Sequence, residues 1–217
     1  MNKKFMLAII IVVIQIIVSL VVALQLPEDI KIPTHWNMQG QIDDYSGKWE
    51  GTMMLAGINA FILLLMVFMP FYSVRYKKHP ERFQKTLPSI TTIIVGFFAL
   101  IHLFSLLIAT GKITNLVNPL FMILGLLFIL LGNILPKIPA NFYVGIRTPW
   151  NLSSDTNWRK THRFGGICYV IGGTIMLIGS IFTKLNPTLN SAIFIIFITL
   201  ALVPILYSFI LFKQSKG

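Results

Sequence analysis

Charge is what this sequence has least of. Asp, Glu, Lys and Arg make up 12% of its 217 residues, about half of the roughly 25% usual in a soluble domain. With 55% of the chain hydrophobic, a soluble globular protein is excluded. Cysteine occurs once, as Cys168 inside an apolar stretch; no intramolecular disulfide can form, and the residue reads as a small packing group. The alternating ten-residue strands of a membrane β-barrel are missing. There is no Gly-rich phosphate cradle or P-loop, and no Ser–His–acid set can be recognised. The loops are too short to hold a soluble catalytic domain.

What is there is a series of six long apolar runs, at 5–26, 52–74, 87–110, 116–135, 165–182 and 189–212. Backbone polar groups must be satisfied internally within hydrocarbon, so these runs predict an all-α integral membrane protein with six transmembrane helices. An even number places both termini on one side. If that side is inside, it collects fourteen Lys and Arg, and only Lys31, Lys48, Lys112 and Lys184 fall outside. The acids divide the other way, with Glu28, Asp29, Asp43, Asp44 and Glu50 outside and Glu81 and Asp155 inside. The positive-inside rule then makes both termini cytoplasmic. The formal net charge of +11 is thereby explained as a topology signal, and no direct nucleic-acid partner is expected.

The first run follows Lys3 and Lys4 in the manner of a signal peptide, but it is longer than the roughly 7–15 residues of a signal core. An uncleaved first helix is expected; cleavage after Val21-Val22-Ala23 is the alternative. Pro88 is placed in the first turn of the third helix, where its missing N–H costs least, and Pro204 inside the sixth. Trp36, Trp49, Trp150 and Trp158 are all expected at headgroup level. In the fifth helix Gly165, Gly172 and Gly179 recur every seven residues, as do Gly166, Gly173 and Ser180. Small strips of this kind predict a close helix–helix seam. The membrane interior holds no Asp, Glu, Lys or Arg away from the span ends, which weighs against an ion-coupled transporter. His102 is the sole imidazole within a span; with Gln15, Asn59 and Ser105 it is expected to make interhelical hydrogen bonds.

Two loops carry specific chemistry. The outer loop, 26–51, contains His35, Trp36, Asn37 and Asp43. Its Ile30-Lys31-Ile32 alternation suggests a short extended piece ended by Pro33, followed by a turn over Asn37 to Gly40. One histidine beside Asp43 and Asp44 falls short of the three or four spaced ligands of a zinc site, so no metal is expected; the loop reads as a packed cap or a recognition surface. The inner loop, 136–163, contains Asn141, Gly145, Arg147, Trp150, Trp158, Arg159, His162 and Arg163. Ser153 is placed as the N-cap of a short helix leading into the fifth span, with Trp158 and His162 on one face and Arg159 and Arg163 on another. Paired cations at that spacing suit an anionic neighbour, either lipid headgroups or an acidic partner. Asp155 and His162 lie about 10 Å apart along a helix, too far for an acid–base pair, and no catalytic residue is assigned.

The inner motifs Gly132-Asn133-Ile134-Leu135-Pro136-Lys137, Gly145-Ile146-Arg147-Thr148-Pro149-Trp150 and Trp158-Arg159-Lys160-Thr161-His162-Arg163 together resemble the SdpI immunity family. The outer Ile32-Pro33-Thr34-His35-Trp36-Asn37 segment resembles the uncharacterised domain that precedes it in full-length members. The resemblance implies an N-terminal membrane domain over 1–110 and an SdpI-like membrane domain over 111–217. It also implies a cell-membrane protein, not an enzyme and without cofactor, that gives resistance to a secreted toxic peptide met on the outer face. For its best-known member it implies a receptor that holds a cytoplasmic autorepressor at the membrane. A transporter or flippase for a neutral or lipid-like solute, and a lipid-modifying membrane enzyme, are the rival readings.

Overall fold

The computed structural model describes residues 3–36, 42–78, 80–113, 117–182 and 188–215. A short 3-10 turn leads into α1 (Met6–Gln25); strands β1 (Ile32–Trp36) and β2 (Ile42–Ser46) follow, then α2 (Lys48–Tyr72), α3 (Val74–Lys78), α4 (Pro80–Ala109) and α5 (Val117–Ile134). A second 3-10 turn over Leu135–Lys137 precedes α6 (Pro149–Leu152), α7 (Asp155–Phe182) and α8 (Thr188–Gln214). Six of the helices are long and apolar enough to cross a membrane, and their outward sides are apolar, with Leu24, Phe71 and Ile181 each about two-thirds exposed. The expected six-helix membrane protein is what the chain forms.

The helices outrun the apolar runs at their polar ends. α7 begins at Asp155 and continues unbroken through the fifth span, so the short helix expected to lead into that span is its first turns. Ser154, not Ser153, caps it, its hydroxyl accepting the Asn157 N–H at 3.2 Å, while Ser153 closes α6. α4 begins at Pro80, which puts Pro88 in its interior and not in its first turn. Hydropathy marks only the stretch that needs lipid; the helix runs on through Glu81, Arg82 and Lys85, whose polar side chains suit a solvated end.

α1, α2 and α4 pack together, as do α5, α7 and α8, and α4 meets α5 between the two groups. In the first group the bonds are polar and buried. Asn59 donates to the Gln15 side chain at 2.6 Å and to the Val95 carbonyl at 2.9 Å, and Gln15 joins His102 at 2.9 Å. This cluster ties three helices where no water is available to compete. Ser105 does something else: it reaches the Pro33 carbonyl at 2.9 Å and ties α4 to the strands.

In the second group the contact is backbone on backbone. A Cβ on Gly173 would lie 2.6 Å from the Gly125 carbonyl oxygen, and one on Gly166 would lie 2.7 Å from that of Gly132. The pairings run in opposite directions two turns apart, as antiparallel helices require. Gly165, Gly172 and Gly179 form a neighbouring strip against α8, touching Pro204, Phe197 and Ile193. The sevenfold spacing thus serves two seams on adjacent faces of α7.

The strands form an antiparallel hairpin, with Ile32 opposite Ser46 and Trp36 opposite Ile42. Pro33 lies within β1 and does not end it; a two-stranded edge leaves its missing N–H without consequence. Ile32 is fully buried against Gly51, where any side chain would collide with it. The hairpin is therefore bolted to α2 and α4 at one face of the bundle. The described chain ends and the 138–153 segment lie at the opposite face.

Candidate functional site

The segment between the Leu135–Lys137 turn and α7 has almost no regular structure, yet most of its buried side-chain polar atoms are paired, Asn151 Oδ1 being an exception. Asn141, 1% exposed, accepts the N–H groups of Tyr143 and Val144 at 2.8 and 2.7 Å and donates to the carbonyls of Pro139 and Val144. One amide thus closes the loop around itself. Asn151 donates to the Ile146 carbonyl at 2.5 Å, and Thr148 caps α6 through the Asn151 N–H. Trp150 donates to Ser208 at 2.7 Å and packs edge-on to Phe209, fixing the loop to the end of α8. Asn157 adds a bond to the Ser208 carbonyl at 2.9 Å.

His162 holds this loop onto α7. It is fully buried, stacked on Trp158 with ring centroids 3.9 Å apart. Nε2 accepts the Ile146 N–H at 3.1 Å; Nδ1 lies 2.9 Å from the Trp158 carbonyl, so Nδ1 carries the proton and the ring is neutral. Gly145 makes the approach possible. Its φ of +113° is a region closed to side chains, and a Cβ there would collide with Nε2. Trp158 donates to the Ile138 carbonyl at 2.8 Å and sits in a core of Ile90, Leu135, Ile138 and Ile146. It is a buried loop anchor, closed off from contact with lipid headgroups.

The expected residues divide accordingly. Asn141, Trp158 and His162 are buried, and Gly145 and Trp150 are partly so; together they build the loop. Arg147, Arg159 and Arg163 are exposed. Arg147 donates to the Phe142 carbonyl.

Arg159 lines a cleft of about 750 Å³ in which it meets Arg75, Arg82, Lys85 and Lys137; the only acid on its wall is Asp155. Ile134, Ile138, Pro139 and Ala140 give the same cleft an apolar side. Arg75 is held in place by the Leu152 carbonyl at 3.1 Å and by the Phe142 ring, 4.7 Å from its guanidinium carbon. Arg147 and Arg163 do not line the cleft. Sequence reasoning missed Arg75, Arg82 and Lys85, because their charge is accounted for by orientation alone and only the folded chain places them opposite the loop.

On the hairpin face, His35 and Asp43 meet at 2.6 Å, both well exposed. Trp36 ends β1, and Asn37 lies outside the described residues. Lys48, 7% exposed, pairs with the open Glu28 at 2.9 Å. Among the described residues no group of three His, Cys, Asp or Glu is placed to hold a metal.

Residues 137–208 match the SdpI/YfhL protein family, and residues 10–60 match a domain of unknown function (DUF1648). The chain is 27% identical to the Immunity protein SdpI of Bacillus subtilis (strain 168), over 99% of both chains. No solved structure matches it. The loop anchored by His162 lies inside the first matched segment and the His35 hairpin inside the second; the chain is a multi-pass cell-membrane protein, similar to the SdpI/YfhL protein family in its second half and to the DUF1648 domain in its first.

Proposed function

We propose that this protein protects its cell from a toxic peptide acting at the membrane. The observation that carries the reading is the similarity to an immunity protein along 99% of both chains, which takes in the hairpin as well as the loop. The face with the chain ends is cytoplasmic, by the distribution of Lys and Arg, and the hairpin faces out. There His35, Asp43 and the acidic Glu28, Asp44 and Glu50 present a small rigid surface to a peptide arriving from outside. On the inner side, exposed Arg147, Arg159 and Arg163 offer a cytoplasmic repressor a surface, and its capture at the membrane is the finer part of the proposal.

The geometry supports the rivals less. Both nitrogens of His162 are engaged by backbone groups, so it has no free lone pair for acid–base chemistry. The spans carry no Asp, Glu, Lys or Arg away from their ends, and the cluster of Gln15, Asn59 and His102 binds helices to one another.

Expression in a toxin-sensitive strain lacking its own immunity gene tests the reading. Survival should rise; no gain at full membrane expression refutes it for that toxin. In the Arg147→Ala/Arg159→Ala variant, protection should persist while recruitment of the repressor is lost. Loss of neither refutes the capture surface.

A further inference from the structure

The cleft on the face with the chain ends has a use that immunity does not require. Its five cations come from α3, α4, the 3-10 turn before the loop, and α7, and among the described residues none has an ion-pair partner. Cations gathered around a concave surface repel one another more than cations spread on a convex one, because each sees its neighbours across a poorly solvated gap. Asp155 alone does not balance them. The amino-terminal end of the 28-residue α7 adds positive potential at the rim, and Thr86 and Ser89 also line the wall. Ile134, Ile138, Pro139 and Ala140, from the segment that also carries Lys137, add apolar surface to the same wall. The cleft therefore combines basic and apolar lining, and is set where the spans leave the hydrocarbon.

We propose that the cleft binds a phosphate-bearing anion, met in the cell as the headgroup of an acidic phospholipid. About 750 Å³ is far more than one phosphate ion fills, and it accommodates a headgroup with its glycerol. The apolar wall suits the first methylenes of an acyl chain. Basic pockets between spans at the cytoplasmic level hold such lipids by this combination of charge and apolar contact. Arg75 and Arg159 supply planar donors for phosphate oxygens, and Lys85, Arg82 and Lys137 supply charge.

The test uses the full chain, purified in neutral detergent and offered an equal mixture of phosphatidylglycerol and phosphatidylcholine, with bound lipid counted by native mass spectrometry. The wild type should keep phosphatidylglycerol preferentially. Arg82→Gln/Lys85→Gln should lower that retention roughly thirtyfold, at about 1 kcal/mol for each cation near a lipid surface. Lys31→Gln/Lys112→Gln, on the opposite face, should change nothing, and Arg82→Lys/Lys85→Arg should restore binding. Millimolar inorganic phosphate identifies the source: displacement of the lipid shows a site for phosphate in either form, and persistence of the lipid shows a site for the whole headgroup. Equal retention of both lipids, equal retention by the cleft variant at an unchanged melting temperature, or displacement by a glutamate-rich peptide but not by phosphate overturns the proposal. Should the double variant fail to fold, Arg159→Gln alone, on an exposed helical position, gives the same reading with a smaller expected loss.

Discussion

Gly145→Ala isolates the joint on which the loop depends. The residue has φ +113°, and imposing that backbone on alanine costs about 1–3 kcal/mol. The new methyl would also collide with His162 Nε2, forcing the ring away from the Ile146 N–H it accepts at 3.1 Å. Leaving that buried N–H unpaired costs about 1–3 kcal/mol more. The loop should therefore open more readily by at least about 2 kcal/mol, a roughly thirtyfold rise in its open population. Hydrogen exchange of residues 139–153 in detergent measures this directly, with the amides of α5 as an internal reference. A double-mutant cycle with His162→Ala separates the two causes. Removing the ring abolishes the collision but not the backbone strain, so the pair should be less damaging than the sum by about 1–2 kcal/mol. Exchange of the loop at the wild-type rate in Gly145→Ala, or strict additivity with His162→Ala, would refute the assignment of His162 as the group that holds the loop.

Gly173→Leu should abolish accumulation of folded protein, since a side chain there meets the Gly125 carbonyl and Ile129 at under 3.2 Å; Gly57→Leu, which enters open space, should leave the gel-filtration profile in detergent unchanged. Equal profiles for the two would show that α5 and α7 are not packed backbone to backbone. At the hairpin face Glu28→Gln should lower the melting temperature more than Lys48→Met. The first leaves an ammonium 7% exposed without its partner, whereas the second leaves a carboxylate 80% exposed and solvated. The reverse order would show that Lys48 is satisfied by something other than Glu28.

The spans were legible in the sequence because lipid imposes length and apolarity on every one of them, and the glycine strip because its spacing repeats. The ends were not. Pro80 to Thr86 read as loop, and Asp155 to Phe164 as a short helix leading toward the fifth span, for want of hydrophobicity, though water and headgroups solvate a helix end as well as a coil. Within the site, the pairing of Trp158 with His162 was legible, since both lie on one helix a turn apart, and local geometry settles their contact. The partner of His162 was not. Ile146 reaches it across 16 residues through a positive-φ glycine, and nothing in the spacing of Gly145 announces which side chain it makes room for. The cleft was illegible for a further reason. Arg75 and Arg159 come together only after α3, α4 and α7 have packed, and charges contributed by separate elements carry no sequence period.

The length of α7 has a mechanical consequence. Its 28 residues make a rod of about 42 Å, against about 30 Å of hydrocarbon. About 12 Å projects beyond the hydrocarbon into the headgroup region, and on that projection stand Trp158, Arg159 and His162. Gly165 and Gly166 lie at its base, clamped by Leu135, Pro136, Pro204 and the Gly132 carbonyl. A tilt of about 10° at the base swings the far end by about 2 Å, given the helical rise. The seating of α5 against α7 and the width of the cleft are thus a single mechanical variable. A change in bilayer thickness, or a peptide wedged between spans, would reach the face that carries the cleft as movement of a lever.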